Sequence, residues 1–186
     1  IDLTEKGVWQ AERLSKRLKN VHVDLVYSSD LKRAMQTADI VFGDRGIELI
    51  KKTSLREVNF GEWESKAIEE VRLKHKEEFF SWFINPDENS RPPQGESLAD
   101  FDYRVMSEIK SILKNNNHDE KNKTIVIVCK GGTILIVFCS VLNLALKNIW
   151  NMRQESTALN IIDYNDSNSL VSLLNDTSHL EDWWEK

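Results

Sequence analysis

The sequence is poor in residues that cross-link, stiffen or punctuate a chain. Cysteine occurs twice in 186 residues, proline three times and glycine seven times. Two cysteines cannot build a disulfide framework, and Cys129 and Cys139 sit in apolar stretches, as reduced, buried thiols of a cytoplasmic protein do. Neither they nor the four histidines show a metal spacing such as C-x-x-C or H-E-x-x-H, so no metal is expected. No apolar run reaches the roughly 18 residues that suggest a membrane span. The longest, around Ile134 to Val141, is interrupted at Cys139-Ser140. A basic excess is also missing: Lys+Arg number 25 against 30 Asp+Glu, a formal net charge of -5, which argues against a nucleic-acid partner. A hydrophobic content of 40% suffices for a core, and the length fits one domain.

What is present is an alternation of helical and strand patterns. Val8, Ala11, Leu14 and Leu18 repeat at helical spacing behind a capping Thr4 and predict a helix over 4–19. The β-prone run 23–27 enters Ser28-Ser29-Asp30, a turn that feeds the N-cap of a second helix striped by Leu31, Ala34, Met35, Ala38 and Val41. A weak strand is expected at 48–52, no clean period over 53–65, and a helix over 66–84. All three prolines fall in the loop 85–95. Ser97 and Asp100 read as a capping box ahead of a helix carrying Leu98, Phe101, Val105, Ile109 and Ile112. Thr124 to Cys129 is apolar on both faces, as a central parallel strand covered by helices is. Gly131-Gly132 then turns into an apolar helix over 133–146, and two closing strands follow at 158–164 and 169–174, linked by 165–168. The pattern predicts an α/β fold, a three-layer sandwich with a mostly parallel central sheet flanked by helices.

Residues suited to chemistry gather where strands meet helices. Arg33 lies in the first turn of the second helix, where a guanidinium can give a phosphate two parallel hydrogen bonds; the alternative is a solvated surface arginine. The loop 55–64 mixes aromatics with charge, and a carboxyl such as Glu57 beside bulky apolar groups can serve as a general acid; the alternative is an exposed acidic loop. At Lys130-Gly131-Gly132-Thr133 the best strand ends and a helix begins, so backbone N–H groups such as that of Gly131 suit an anion; a tight structural turn is the alternative. The glycines follow the lysine, the reverse of a Walker P-loop. His22, His75 and His118 lie in polar surroundings, whereas His179 follows the last strand and could reach a strand-end site. Together these elements suggest a phosphate site without naming a reaction.

In that order the residues resemble the histidine phosphatase superfamily, the phosphoglycerate-mutase-like fold, over nearly the whole chain. Leu3-Thr4-Glu5-Lys6-Gly7 with Gln10-Ala11 looks like the family's first-helix motif. Ser28 to Ala38 is similar to S-S-x-L-x-R-A-x-Q-T-A. Leu55-Arg56-Glu57 with Phe60-Gly61-Glu62-Trp63-Glu64 resembles L-x-E-x-x-F-G-x-W-E-G, with Ser65 where glycine is usual. Trp82, then Pro92 to Ser97 and Arg104-Val105, resembles the segment ending in G-G-E-S, and Asn175 to Leu180 the closing motif. The Phe60 to Glu64 block looks more like the small phosphatases, α-ribazole phosphatases among them, than the mutases. The resemblance implies that Arg33 binds the phosphoryl group. It implies that Glu57 protonates the leaving oxygen and then activates water, and that a histidine attacks phosphorus to form a phosphohistidine. No metal or organic cofactor is implied. Lys130 and the Gly131 amide are the further phosphate-binding candidates, residues 66–96 a helical lid or insertion, and the expected partner a small phosphorylated metabolite. Neither nucleic acid nor membrane is expected as a partner, and nothing indicates an oligomeric state.

Two departures from the family pattern shape the expectation. The family's nucleophile lies in Arg-His-Gly on a first strand ahead of the first-helix motif, and no Arg-His-Gly occurs in the 186 residues. The family's second histidine, ahead of Gly-Gly-Thr, is Lys130 here. An absent strand beside 124–129 would leave inner backbone groups unpaired, so a fragment of a longer chain is expected. Lys130 leaves two functions open: a phosphomonoesterase once the N-terminal strand is present, or an inactive member that binds a phospho-ligand or a protein.

Overall fold

Three short parallel strands, β1 (Leu25–Ser29), β2 (Leu49–Lys52) and β3 (Ile125–Val128), form the centre of the computed structural model in the spatial order β2-β1-β3. The structure describes residues 1–116, 122–165 and 168–183, so His118 and the middle of the 165–168 link lie outside it. The helices are α1 (Glu5–Leu18), α2 (Lys32–Phe42), α3 (Ile68–Lys74), α4 (Lys76–Phe79), α5 (Leu98–Asn116) and α6 (Gly131–Val141). A hairpin of β4 (Leu159–Tyr164) and β5 (Ser169–Asp176) forms a separate antiparallel sheet.

Successive strand residues point to opposite faces, and each set joins its own core. Val26, Leu49, Val126 and Val128 pack with Ala11 and Leu18 of α1 and Val41 and Phe42 of α2. Leu25, Tyr27, Ile50, Ile125 and Ile127 pack with Phe101, Val105 and Ile109 of α5 and Leu135 and Ile136 of α6. The result is an α/β fold with a parallel sheet between two helical layers. Among the described residues no helix is long and apolar enough to cross a membrane.

Local chemistry explains most element boundaries. The Thr4 hydroxyl accepts the Gly7 N–H at 3.2 Å and starts α1. The Ser97 hydroxyl accepts the Asp100 N–H at 3.1 Å and donates to the Asp100 carboxylate at 2.6 Å, so the capping box forms. β1 begins later than its sequence pattern because Asp24 braces the strand entrance. Its N–H donates to the Thr124 carbonyl at 2.9 Å and its carboxylate accepts the Thr124 N–H at 2.7 Å. Asp30 does not cap α2: the N-cap is Leu31, and the Asp30 carboxylate is engaged by Arg56 through two bonds of 2.7 and 2.6 Å. α6 ends at Val141, earlier than expected, where Asn143 takes a left-handed backbone (φ 58°) and the Leu144 N–H closes on the Cys139 carbonyl at 2.8 Å.

Two expectations are revised by tertiary packing. The single helix over 66–84 is broken at His75 into α3 and α4 and finishes in a π turn over Phe80–Ile84. The wider turn lets Phe79, Trp82 and Phe83 all meet the core, with Trp82 fully buried and its carbonyl accepting the Trp150 indole N–H at 2.6 Å. β3 was expected in the sheet interior. It is the outer member of the three parallel strands, all four of its residues half-buried, and among the described residues no strand pairs with its outer edge. Leu159 of β4 packs against the same core cluster as Val126 and Val128 without joining their backbone ladder.

The packing makes a contrast that denaturant unfolding can check. Phe101→Ala, at a fully buried position, should cost about 3–5 kcal/mol. Tyr103→Ala, two residues on and 76% exposed, should change stability by no more than about 0.5 kcal/mol.

Candidate active site

Glu57 lies in the irregular segment between β2 and α3. Its neighbours Leu55 and Val58 are almost wholly buried, and these two anchors fix the segment against the core. The Glu57 carboxylate accepts the Val58 N–H at 3.0 Å and, 75 residues away, the Gly132 N–H at 3.1 Å. Gly132 is in the first turn of α6, where backbone N–H groups have no partner inside the helix. A Cβ on Gly132 would stand 2.3 Å from Glu57 Oε1, so the contact requires glycine at that position. A Cβ on Gly131 would meet only Gln154 atoms at 3.7 Å or more. Sequence reasoning selected Gly131 for the helix head and overlooked Gly132, the glycine that receives the acid. Neither glycine has a positive φ, so the backbone demands glycine at neither position, and only the close approach of Glu57 distinguishes Gly132.

The helix heads also hold two uncommitted cations. Lys130 is the N-cap residue of α6, half-buried, and its charge acts on the Glu57 carboxyl. Arg33 is the second residue of α2 and exposed. Neither makes a salt bridge or side-chain hydrogen bond among the described residues, whereas nearby Lys32, Arg56 and Arg104 are committed to Asp2, Asp30 and Glu96. α2 and α6 spring from the adjacent strands β1 and β3, whose ends are tied where the Ser28 hydroxyl donates to the Val128 carbonyl at 3.3 Å. The structure thus brings Glu57, Lys130, Gly131 and Gly132 together. It leaves Arg33 on the head of the neighbouring helix, with no side-chain hydrogen bond or salt bridge to them among the described residues. Two helix N-termini that follow adjacent strands, each bearing a cation with no salt bridge among the described residues, suit an anion. A cleft of about 500 Å³ runs along the Glu57 segment, lined by Arg56, Asn59, Glu96 and Arg104 among others. Arg33 and Lys130 are not in its walls, so the candidate phosphate position follows from the helix heads rather than from this hollow.

His179 belongs elsewhere. It is buried against α1: Arg17 Nη1 stands 3.4 Å from its Nδ1, and its carbonyl accepts the Arg13 Nε–H at 2.9 Å. Burial and then the Arg17 charge push its pKa down. The Cys129 thiol, next to Lys130, is pushed up to about 12 by burial and by the Glu57 charge, so it is no thiolate nucleophile.

Burial raises the Glu57 pKa above its ordinary 4.5, against the Val58 and Gly132 N–H bonds and then the charges of Lys130 and Arg104, which lower it. The native state therefore binds this proton more tightly than the unfolded chain does. The associated stability is complete below 4.5 and is lost as pH rises through the raised value. Denaturant titrations over this window should show that pH dependence in the wild type and its removal in Glu57→Gln. In the same assay Gly132→Ala should destabilise and Gly131→Ala should be tolerated.

Comparison with known proteins bears on the family of the chain. A sequence profile of the histidine phosphatase superfamily (branch 1) matches residues 1–177. Phosphoserine phosphatase 1 of Hydrogenobacter thermophilus is 30% identical over 183 residues, 98% of this chain and 84% of that one. The adenosylcobalamin/alpha-ribazole phosphatase of Escherichia coli K12 is 27% identical over 173 residues, 93% of this chain and 83% of that one. The solved structure of Bacillus stearothermophilus YhfR matches with a TM-score of 0.88 at 30% identity, covering 96% of this chain and 86% of that one. A profile match that runs from the first-helix motif into the closing motif, on a backbone of the same shape, makes this chain a member of the histidine phosphatase superfamily.

Proposed function

We propose that this chain carries the phosphate-binding and acid–base parts of a phosphomonoesterase that works through a phosphohistidine on a small phosphorylated metabolite. The observation that carries the reading is the Glu57 carboxyl, raised in pKa by burial and held on the Gly132 N–H beside the unpaired Lys130 ammonium. Arg33, Lys130 and the Gly131 amide hold the phosphoryl oxygens and offset their charge as it develops. An imidazole nitrogen attacks phosphorus, the ester P–O bond breaks, and Glu57 gives its proton to the leaving oxygen. Water then attacks the phosphohistidine, Glu57 takes the water proton, and the P–N bond breaks.

An Arg-His-Gly strand that would supply the attacking imidazole fits the outer edge of β3, which no strand covers among the described residues. Relatives named as phosphoserine and alpha-ribazole phosphatases support a small phosphorylated substrate. Residues 66–96 form the lid over it, and the two free thiols fit a cytoplasmic setting. Lys130 favours a second reading, an inactive phospho-ligand-binding member, because an ammonium is a point cation and cannot serve as a neutral imidazole.

Turnover decides between them. Protein carrying the Arg-His-Gly strand should hydrolyse a generic aryl phosphate. Glu57→Gln should slow it by ~100- to 10,000-fold, the usual contribution of a general acid–base. Lys130→His should raise the rate. A protein that stays inert with both histidines in place is the binding module. The 186-residue chain alone should bind inorganic phosphate, more weakly after Arg33→Ala, as read by calorimetry.

A further inference from the structure

Among the described residues the segment that carries Glu57 is paired with no strand, yet its carbonyl oxygens are not left bare. Arg104, from the second turn of α5, reaches them. Its Nη1 donates to the Ser54 carbonyl at 2.8 Å and to the Arg56 carbonyl at 3.1 Å, and its Nη2 to the Glu57 carbonyl at 3.4 Å. The other edge of the guanidinium is gripped by Glu96. Nε donates to Oε1 at 2.8 Å and Nη2 to Oε2 at 2.7 Å, a bidentate pair. All five N–H donors of one arginine are therefore spent, three of them on the backbone around Glu57. Glu96 adds to the grip, since its Oε2 also accepts the Asn59 N–H at 3.3 Å. The pair is largely sheltered, with side chains 27% and 15% exposed, so neither partner can leave without stranding the other.

We propose that Arg104, clamped by Glu96, is the positioning residue that holds Glu57 in register with the head of α6, an inference that rests on the reading of Glu57 as the acid–base. A lysine cannot replace it, because one ammonium cannot span three carbonyls in a row and a carboxylate in the same plane. Arg104 also biases the proton that Glu57 holds, since its charge lowers the Glu57 pKa against the effect of burial.

The test needs no turnover. The 186-residue chain is labelled with carboxyl-13C glutamate, and Glu57 is assigned by the signal missing in Glu57→Gln. Its titration is followed by NMR, together with amide hydrogen exchange at Arg56, Val58 and Asn59, in the wild type, Arg104→Met and Arg104→Lys. In Arg104→Met the Glu57 midpoint should move up, and the three amides should exchange roughly tenfold faster or more, as loss of charge-assisted hydrogen bonds implies. The β1 amides should keep their protection. Arg104→Lys, which keeps the charge, should return the midpoint toward wild type but leave the fast exchange. Unchanged midpoint and exchange in Arg104→Met overturn the proposal, and so does faster exchange spread equally through β1, which marks general loosening. If Arg104→Met does not fold, Glu96→Gln decides: faster exchange confined to the three amides supports the clamp, and no change overturns it. Because these readouts are independent of catalysis, an inert enzyme would sink the proposed function while leaving this result to stand or fall by itself.

Discussion

The bond from the Gly132 N–H to the Glu57 carboxylate joins two parts of the chain that lie 75 residues apart in sequence. One end is the first turn of α6, which can only lie where β3 and the packing of Leu135 and Ile136 put it. The other is an irregular segment hung on Leu55 and Val58. The contact forces glycine at 132, fixes the distance from the acid to the head of α6, and sets Lys130 beside the carboxyl. The opposite side of the same segment is held by Thr133, whose hydroxyl donates to the Arg56 carbonyl at 3.1 Å, and by Arg104 from α5. Two helices in the same layer thus hold one acid from its carboxyl and from its backbone.

Electrostatics at this point is a balance. Burial favours the neutral acid, while two N–H donors and two cations favour the carboxylate. A group poised this way can release and regain a proton, as a residue that acts first as acid and then as base must. Lys130 adds to this balance as a point cation where the family pattern has a planar imidazole. The family's histidine and this chain's lysine therefore differ in shape and in reach.

The loops around the acid depart from the family pattern in a related way. Ser65, where glycine is usual, takes φ 64°, and Gln94, in the segment that resembles G-G-E-S, takes φ 58°. Both hold a left-handed backbone that costs a side-chain-bearing residue roughly 1–2 kcal/mol. The conformation survives the substitutions because the two loops are stitched together. The Glu62 N–H meets the Pro93 carbonyl at 2.9 Å, and the Glu96 N–H meets the Asn59 carbonyl at 2.9 Å. At Gly61 the approach is closer still, since a Cβ there would fall 2.2 Å from the Pro93 carbonyl oxygen, and glycine is retained.

Periodicity and capping chemistry were enough to read α1, α2 and α5, the α/β class, and the order of the motifs, because these depend on neighbours three or four residues away. The motifs also made Arg33, Glu57 and Lys130 candidates from residue type alone. Their arrangement was not legible in the same way. Asp30 looked like a helix cap and is the partner of Arg56, 26 residues on. Ser97 and Asp100 looked like a capping box and form one, whereas the neighbouring Glu96, which local pattern left without a role, grips Arg104. Residues 66–84 had helical composition but bend at His75 to deliver Phe79, Trp82 and Phe83 to a core built by other elements. Local pattern determined which elements form and which side chains carry charge. Only the tertiary structure decided which carboxylate meets which N–H or guanidinium, because each such choice spans tens of residues and is settled by where packed helices and strands leave their ends.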